Sequence, residues 1–291
     1  MISNPKEIPD DIIKLIRDWE KTESSTLFGF ITTGEPLNYD EISRGLVRKI
    51  KYECLKNGHS KRLDVLLQSS GGDADAAYQV INFLKCHCDE LRIFIPDWAK
   101  SAATLICLGA DEIWMSDKAE LGPLDAQIPN PRDPSGGLVS ALEQFRAMDY
   151  LKKYSFEMLD TYVNLLLDRI PNMKLKTMLD EATPFVTQLM APLFGQVDPI
   201  DFGASYRALD IAMEYGHRII KRYNKTISSE NIRDLLDSLT WRYPSHSFVI
   251  DRLEAEELGL NVKRLTGEQG KRADIIVRHL DAWLGFLEEK K

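Results

Sequence analysis

Two short runs combine residue types that suit acyl transfer. In Ser69-Ser70-Gly71-Gly72, paired glycines close an apolar segment. Glycine permits positive φ and leaves backbone N–H groups uncovered, which is what an oxyanion requires. In Ala99-Lys100-Ser101-Ala102-Ala103-Thr104, a serine opens a short apolar run. At the head of a helix, its hydroxyl and the Ala102 N–H would lie in the positive field of the helix end. The two runs together supply a candidate nucleophile, Ser101, and candidate oxyanion donors, Gly71 or Gly72 and Ala102. Taken alone, Ser101 also fits an ordinary N-cap, and the glycines a tight turn or phosphate loop. A dinucleotide loop fits worse, because Gly71-Gly72-Asp73-Ala74-Asp75 lacks GxGxxG spacing and sets acids where phosphates would lie.

Elements on either side must hold these turns. Leu63–Gln68 and Leu91–Ile95 read as strands, followed by helices over Ala74–Leu84 and Ser101–Gly109. Upstream, an amphipathic helix over 8–22 starts near Pro9, and Thr26–Ile31 is β-prone. Asp40 is the expected cap of a helix reaching about Lys56, with Ile42, Leu46, Val47, Ile50 and Cys54 as its apolar stripe. Glu112–Met115 is a further strand, followed by the turn-rich run Leu121–Pro129. Strands alternating with helices predict an α/β fold with a largely parallel sheet. Beyond Pro129 the pattern changes. Asn130–Gly137 reads as a mobile or lid-like loop, and 138–170, 172–193, 203–223 and 228–238 as helices, the last capped by Ser228 or Ser229. Thr266–Glu289 reads as a terminal amphipathic helix.

A net charge of −8 and a pI near 5.3 give no basic footprint, so a nucleic-acid partner is not expected. No stretch approaches the ~18 apolar residues of a membrane span, and Met1–Lys6 lacks the apolar core of a secretory signal. The expected compartment is the cytoplasm, with Cys54, Cys86, Cys88 and Cys107 as free thiols. Cys86-His87-Cys88 lacks a second ligand pair and reads as part of an amphipathic helix. Neither metal nor cofactor is expected.

Three segments carry a family resemblance: Ser69–Ala77, Ala99–Leu105 and Gly109–Ile113 resemble the ClpP and signal peptide peptidase branch of the ClpP–crotonase superfamily. Within it the sequence is most similar to the serine dehydrogenase proteinases, through AKSAATL and the GPxDxQ-like run Gly122–Gln127. Phe248–Ala255 followed by Leu258-Gly259-Leu260 resembles the late helix of ClpP, and Gly72 precedes Ser101 by 29 residues, as its equivalent does there. The resemblance covers 25–129 and 240–265. It implies a ClpP/crotonase-like spiral of ββα units over 25–265, with a helical insertion at about 138–240. An N-terminal helix (1–24) and a C-terminal helix (266–291) would flank it.

The resemblance also implies an ATP-independent serine peptidase acting on peptides or proteins through an acyl-enzyme on Ser101, in a homo-oligomer. Its histidine, however, has no counterpart in Gly122-Pro123-Leu124-Asp125. His246 aligns instead with the family's aspartate, which makes it a candidate base with Asp125 as candidate orienter. Signal peptide peptidases use a Ser–Lys dyad, so Lys153, or its neighbour Lys152, is the alternative base. Two rival readings remain open on the residues alone: a crotonase-type acyl-CoA enzyme and an inactive scaffold of the same fold.

Overall fold

A computed structural model describes residues 9–32, 41–130, 133, 135–280 and 283–286, the last four as backbone. Asp40, the expected cap of the second helix, lies outside the described residues. The chain divides into two compact units, 1–125 with 210–291, and 126–209.

The larger unit is built on a six-stranded sheet of order β10-β1-β2-β3-β5-β9. Strands β1 (Thr26–Ile31), β2 (Ser60–Gln68), β3 (Cys88–Ile95), β5 (Glu112–Met115) and β9 (Val262–Arg264) run parallel. Helices cover both faces, so the strands are apolar on both sides, as a buried parallel sheet demands. Period-two alternation divides them. Phe28, Phe30, Val65, Leu67, Ile93 and Ile95 enter one core with α2 (Arg44–Asn57), α3 (Ala74–Cys86) and α4 (Ala102–Cys107). Leu27, Ile31, Leu66 and Phe94 enter the other with α1 (Asp10–Glu23) and α10 (Gly267–Leu280). Local chemistry sets the helix starts. Ser43 caps α2 by accepting the Leu46 N–H at 3.4 Å, and Asp73 caps α3 by accepting those of Asp75 and Ala76 at 2.7 and 3.3 Å.

A second, thinner ladder runs beside the sheet, made of pairings one or two residues long. Ile42 pairs with Gly72, Ser69 with Ala99, and Leu121 with Ile250. Strands β4 (Trp98–Ala99) and β6 (Glu120–Leu121) pair in parallel. Each major strand is thus followed by a minor segment and then a turn, which is the ββα repeat. The minor segments are too short to carry a periodic signal.

Three sequence expectations about the helices of this unit are corrected. The terminal helix ends at Leu280 rather than Glu289, and Trp283–Phe286 form β10, antiparallel to β1. The aromatic-rich run Trp283-Leu284-Gly285-Phe286 is β-prone, and β1 would otherwise present a bare edge. Cys86-His87-Cys88 is not one helical segment: α3 ends at Cys86 and Cys88 opens β3, exposed and buried respectively. The cap of α8 (Asn231–Asp237) is Glu230, while Ser228 contributes only its carbonyl, to the Asn231 N–H at 3.0 Å.

In the smaller unit, β7 (Gln127–Pro129) and β8 (Leu138–Ser140) form an antiparallel hairpin where the sequence reading starts a helix at 138. Among the described residues of their connection, the Asp133 carboxylate accepts from the Ser135 N–H, the Ser135 hydroxyl and the Gly137 N–H at 2.9, 2.6 and 3.1 Å. Helices α5 (Leu142–Arg169) and α6 (Leu175–Phe194) follow, then α7 (Pro199–Tyr223), which belongs to this unit as far as Leu209. Ala141, Leu142 and Leu209 form its small core with Ile128 and Phe145.

Candidate active site

Every sequence-predicted site residue of the larger unit lies within four residues of a pairing of the minor ladder. Ser101 follows the Ala99 pairing and heads α4, with φ 49° and ψ −116°. Positive φ is costly for a residue bearing Cβ, so the surrounding structure must hold this turn in place. Ser101 is half-buried and makes no side-chain cap bond to its helix, so it is not the ordinary N-cap that its position would also suit.

Gly71 packs against this turn. A Cβ added at Gly71 would stand 2.8 Å from Ser101 Cβ, 2.9 Å from Lys100 O and 3.2 Å from Ala102 N. The glycine pair is therefore set by close approach as well as by φ values of 113° and 139°. At Gly72 the neighbour is the Ile42 backbone, whose oxygen would lie 2.5 Å from an added Cβ. Ile42 straps the turn: its N–H donates to Gly71 O at 2.8 Å, and its carbonyl accepts the Asp73 N–H at 2.7 Å.

The two glycines differ as donors. The Gly71 N–H donates to Ser69 Oγ at 3.2 Å. Gly72 is exposed, and neither its N–H nor that of Ala102, the first residue of α4, donates to another group among the described residues. The geometry thus separates the two sequence candidates, leaving the Gly72 and Ala102 N–H groups open and the Gly71 N–H engaged.

Lys100 faces away from this turn. Its ammonium is partly buried, 2.9 Å from Glu120 Oε2, and donates to Leu121 O at 3.4 Å and Phe248 O at 3.3 Å. Lys100 thus serves as an anchor between minor-ladder segments. The ion pair explains the choice, because a half-buried ammonium needs its charge matched.

His246 and Asp125 come together. The antiparallel pairing of Leu121 with Ile250, N–H to O at 2.9 and 3.1 Å, lays the run 243–250 against 121–125. His246 Nδ1 lies 2.8 Å from the Asp125 backbone carbonyl and 3.9 Å from carboxylate Oδ2. A carbonyl can only accept, so Nδ1 carries the proton and Nε2 is the nitrogen with a lone pair in the neutral ring. Asp125 therefore orients the ring mainly through its main chain, with a carboxylate 1% exposed behind it. The cap of α9 (Arg252–Glu257) is Asp251, not His246. Close by, Tyr243 stacks on Phe248 and donates to Glu254 Oε1 at 2.8 Å. Burial, and then the Glu254 carboxylate, push its phenol well above the usual tyrosine range. Among the described residues no hydrogen bond joins Ser101 Oγ to His246.

Lys153 lies on α5 in the smaller unit, 78% exposed and 3.7 Å from Glu157 one turn on. It is a solvated surface lysine. The sequence pattern of the ClpP-like SDH-type serine proteinases matches residues 21–183, more than half of the 291 residues. The chain belongs to this family.

Relatives of this proteinase family member include an uncharacterized protein of Methanocaldococcus jannaschii, 35% identical over 180 residues, covering 56% of this chain and 62% of that protein. The chain thus spans about three-fifths of the length of that relative. Among solved structures, ClpP1 of Listeria monocytogenes is similar at 12% identity and a TM-score of 0.41, covering 88% of this chain and 98% of that one. The ClpP catalytic domain of Plasmodium falciparum is similar at 9% identity and a TM-score of 0.43, covering 91% and 96%. No helix among the described residues is long and apolar enough to cross a membrane.

Sequence reasoning missed three contributors to the site. Ser69 and Ile42 shape the glycine turn, and Thr104 ties α4 to Gly122. Only Thr104 left a signal, as the one hydroxyl in the apolar run Ala102–Ala110.

Proposed function

We propose that this proteinase family member hydrolyses peptide bonds through an acyl-enzyme on Ser101, without ATP. The observation that carries the reading is the Ser101 turn: a serine held at positive φ at a helix head, with Gly71 packed on its Cβ and the Gly72 and Ala102 N–H groups open. Ser101 Oγ adds to the scissile carbonyl while a base takes its proton. The Gly72 and Ala102 N–H groups stabilise the resulting oxyanion, and the proton passes to the departing amine. Water then cleaves the ester by the same steps in reverse order, returning the proton to Ser101.

His246 is the base in this reading, with Asp125 as its orienter. Its fixed Nδ1–H tautomer leaves Nε2 to accept, and the Asp125 carboxylate behind the ring favours the imidazolium formed in the transition state. Nε2 must reach hydrogen-bond distance of Ser101 Oγ when substrate binds, a contact that in unliganded enzymes is often long. Lys153 fits less well, because its ammonium is solvated on the surface of α5 and paired with Glu157. A homo-oligomer belongs to the same reading and agrees with the apolar side chains exposed on α5 and α6, such as Phe156, Phe185 and Leu189.

The test is labelling by a fluorophosphonate, with mass spectrometry of the adduct. Wild type should label at Ser101, while Ser101→Ala should neither label nor cleave a peptide library. His246→Ala should slow labelling ~100-fold or more, and Lys153→Ala should not. Peptide hydrolysis unchanged in Ser101→Ala would refute the reading, as would turnover of CoA thioesters that is indifferent to that substitution.

A further inference from the structure

Helix α4 is apolar except for one hydroxyl. Thr104 is wholly buried among Ala102, Ala103, Leu105, Ile106 and Cys107, where an unsatisfied hydroxyl would be costly. Its bonds leave the helix. Oγ1 lies 2.8 Å from Ala99 O and 2.9 Å from Gly122 O, and accepts the Gly122 N–H at 3.1 Å. With one proton to give, the hydroxyl donates to one of the two carbonyls at a time and still holds Gly122 through its lone pair. Ala99 ends β4, two residues before Ser101. Gly122 directly follows β6, three residues before the carbonyl that holds His246 Nδ1.

The run Leu121–Asp125 is pinned elsewhere as well. Ile250 pairs with Leu121, and the Leu124 N–H donates to Leu239 O at 2.9 Å. Leu239 lies in the π-helical turn Ser238–Arg242, whose wider winding leaves carbonyls available to partners outside the helix. These ties fix the run against later parts of the chain. Thr104 fixes it against the helix that Ser101 heads.

We infer that Thr104 is a positioning residue, whose hydroxyl sets the reach between the Ser101 turn and the His246 ring by tying α4 to Gly122. The inference rests on the peptidase reading, and two independent readouts separate their failures. The first is the rate of fluorophosphonate labelling at Ser101 against pH, in wild type, Thr104→Val and Thr104→Ser. Valine keeps the shape and loses the bonds, whereas serine keeps the bonds. Displacement of a reacting group by about 1 Å costs ~100-fold, so Thr104→Val should label ~10–100-fold more slowly at every pH, and Thr104→Ser within about threefold of wild type. The second is the His246 tautomer, read by long-range 1H–15N NMR on the folded proteins without any substrate. Wild type and Thr104→Ser should show Nδ1–H alone, and Thr104→Val a mixture of tautomers.

A folded Thr104→Val that labels at the wild-type rate and keeps the single tautomer overturns the inference. If the valine variant does not fold, Thr104→Cys, with a similar volume and a weak donor, is read in the same way, and a labelling rate within twofold of wild type overturns the inference. Failure of wild type to label, with the tautomer still responding to Thr104→Val, would overturn the peptidase reading and leave the positioning role standing.

Discussion

Replacing Gly71 by alanine tests the packing of the site more sharply than removing any side chain. The new Cβ would meet Ser101 Cβ at 2.8 Å, Lys100 O at 2.9 Å and Ala102 N at 3.2 Å, two of them backbone atoms that cannot rotate aside. The residue would also have to hold φ 113°, a conformation that costs ~1–3 kcal/mol for a residue with Cβ. Overpacking adds ~1–3 kcal/mol, so the expected loss is about 2–6 kcal/mol. That is a large share of the ~5–15 kcal/mol available to a folded domain. Gly259→Ala is the control: φ is 87°, nothing lies within 4 Å of an added Cβ, and backbone strain alone should cost ~1–2 kcal/mol. Any gain from stiffening the unfolded chain is common to both variants and cancels. Urea unfolding followed by circular dichroism gives the two midpoints at comparable slope. Fluorophosphonate labelling of Gly71→Ala, under conditions where it is folded, should fall sharply because Ser101 is displaced. Equal losses for Gly71→Ala and Gly259→Ala would refute the close-packed turn.

Three further outcomes follow from buried groups. Arg92 donates to both Asp64 oxygens at 2.7 Å, so Arg92→Met strands a fully buried carboxylate and should cost ~3–5 kcal/mol in urea unfolding. Asp64→Asn in the same chain should recover much of that loss, because Trp19 and Ser25 still have an oxygen to donate to. The Tyr243 phenol is held above its ordinary value of 10.0, so the folded state keeps a proton that the unfolded chain loses. Stability from this group is complete below pH ~10 and declines above it, and Tyr243→Phe should flatten that alkaline limb in pH-dependent thermal melts. Iodoacetamide near neutral pH should modify the exposed Cys86 first, read by mass spectrometry. Burial pushes the Cys54 and Cys88 thiols up to about 12, and Cys107 is buried as well, so these three should react only on unfolding.

The α/β class and the major strands of the sheet were legible because each spans several residues of apolar sequence, as in Leu63–Gln68 and Leu91–Ile95. The strands that missed detection hold only two to four residues, and those around the site pair with distant partners. A two-residue strand such as Trp98–Ala99 contains no period, and the Leu121–Ile250 pairing is decided by a contact 129 residues away. Those short pairings are the ones that assemble the site. Ser101 and the glycine pair could be singled out because each is locally odd, a hydroxyl before an apolar helix and a residue pair that tolerates positive φ. His246 is different, since its placement depends on the Asp125 main chain, and a carbonyl has no sequence signature. A carbonyl acceptor also makes the ring's orientation independent of the side chain at 125: any residue there would present the same oxygen. In the proposed mechanism the carboxylate of Asp125, 3.9 Å from Nδ1, bears on the charge that develops on the ring. Asp125→Asn should therefore leave the His246 tautomer intact while slowing Ser101 labelling, whereas a lost tautomer would mean that the side chain, not the main chain, holds the imidazole.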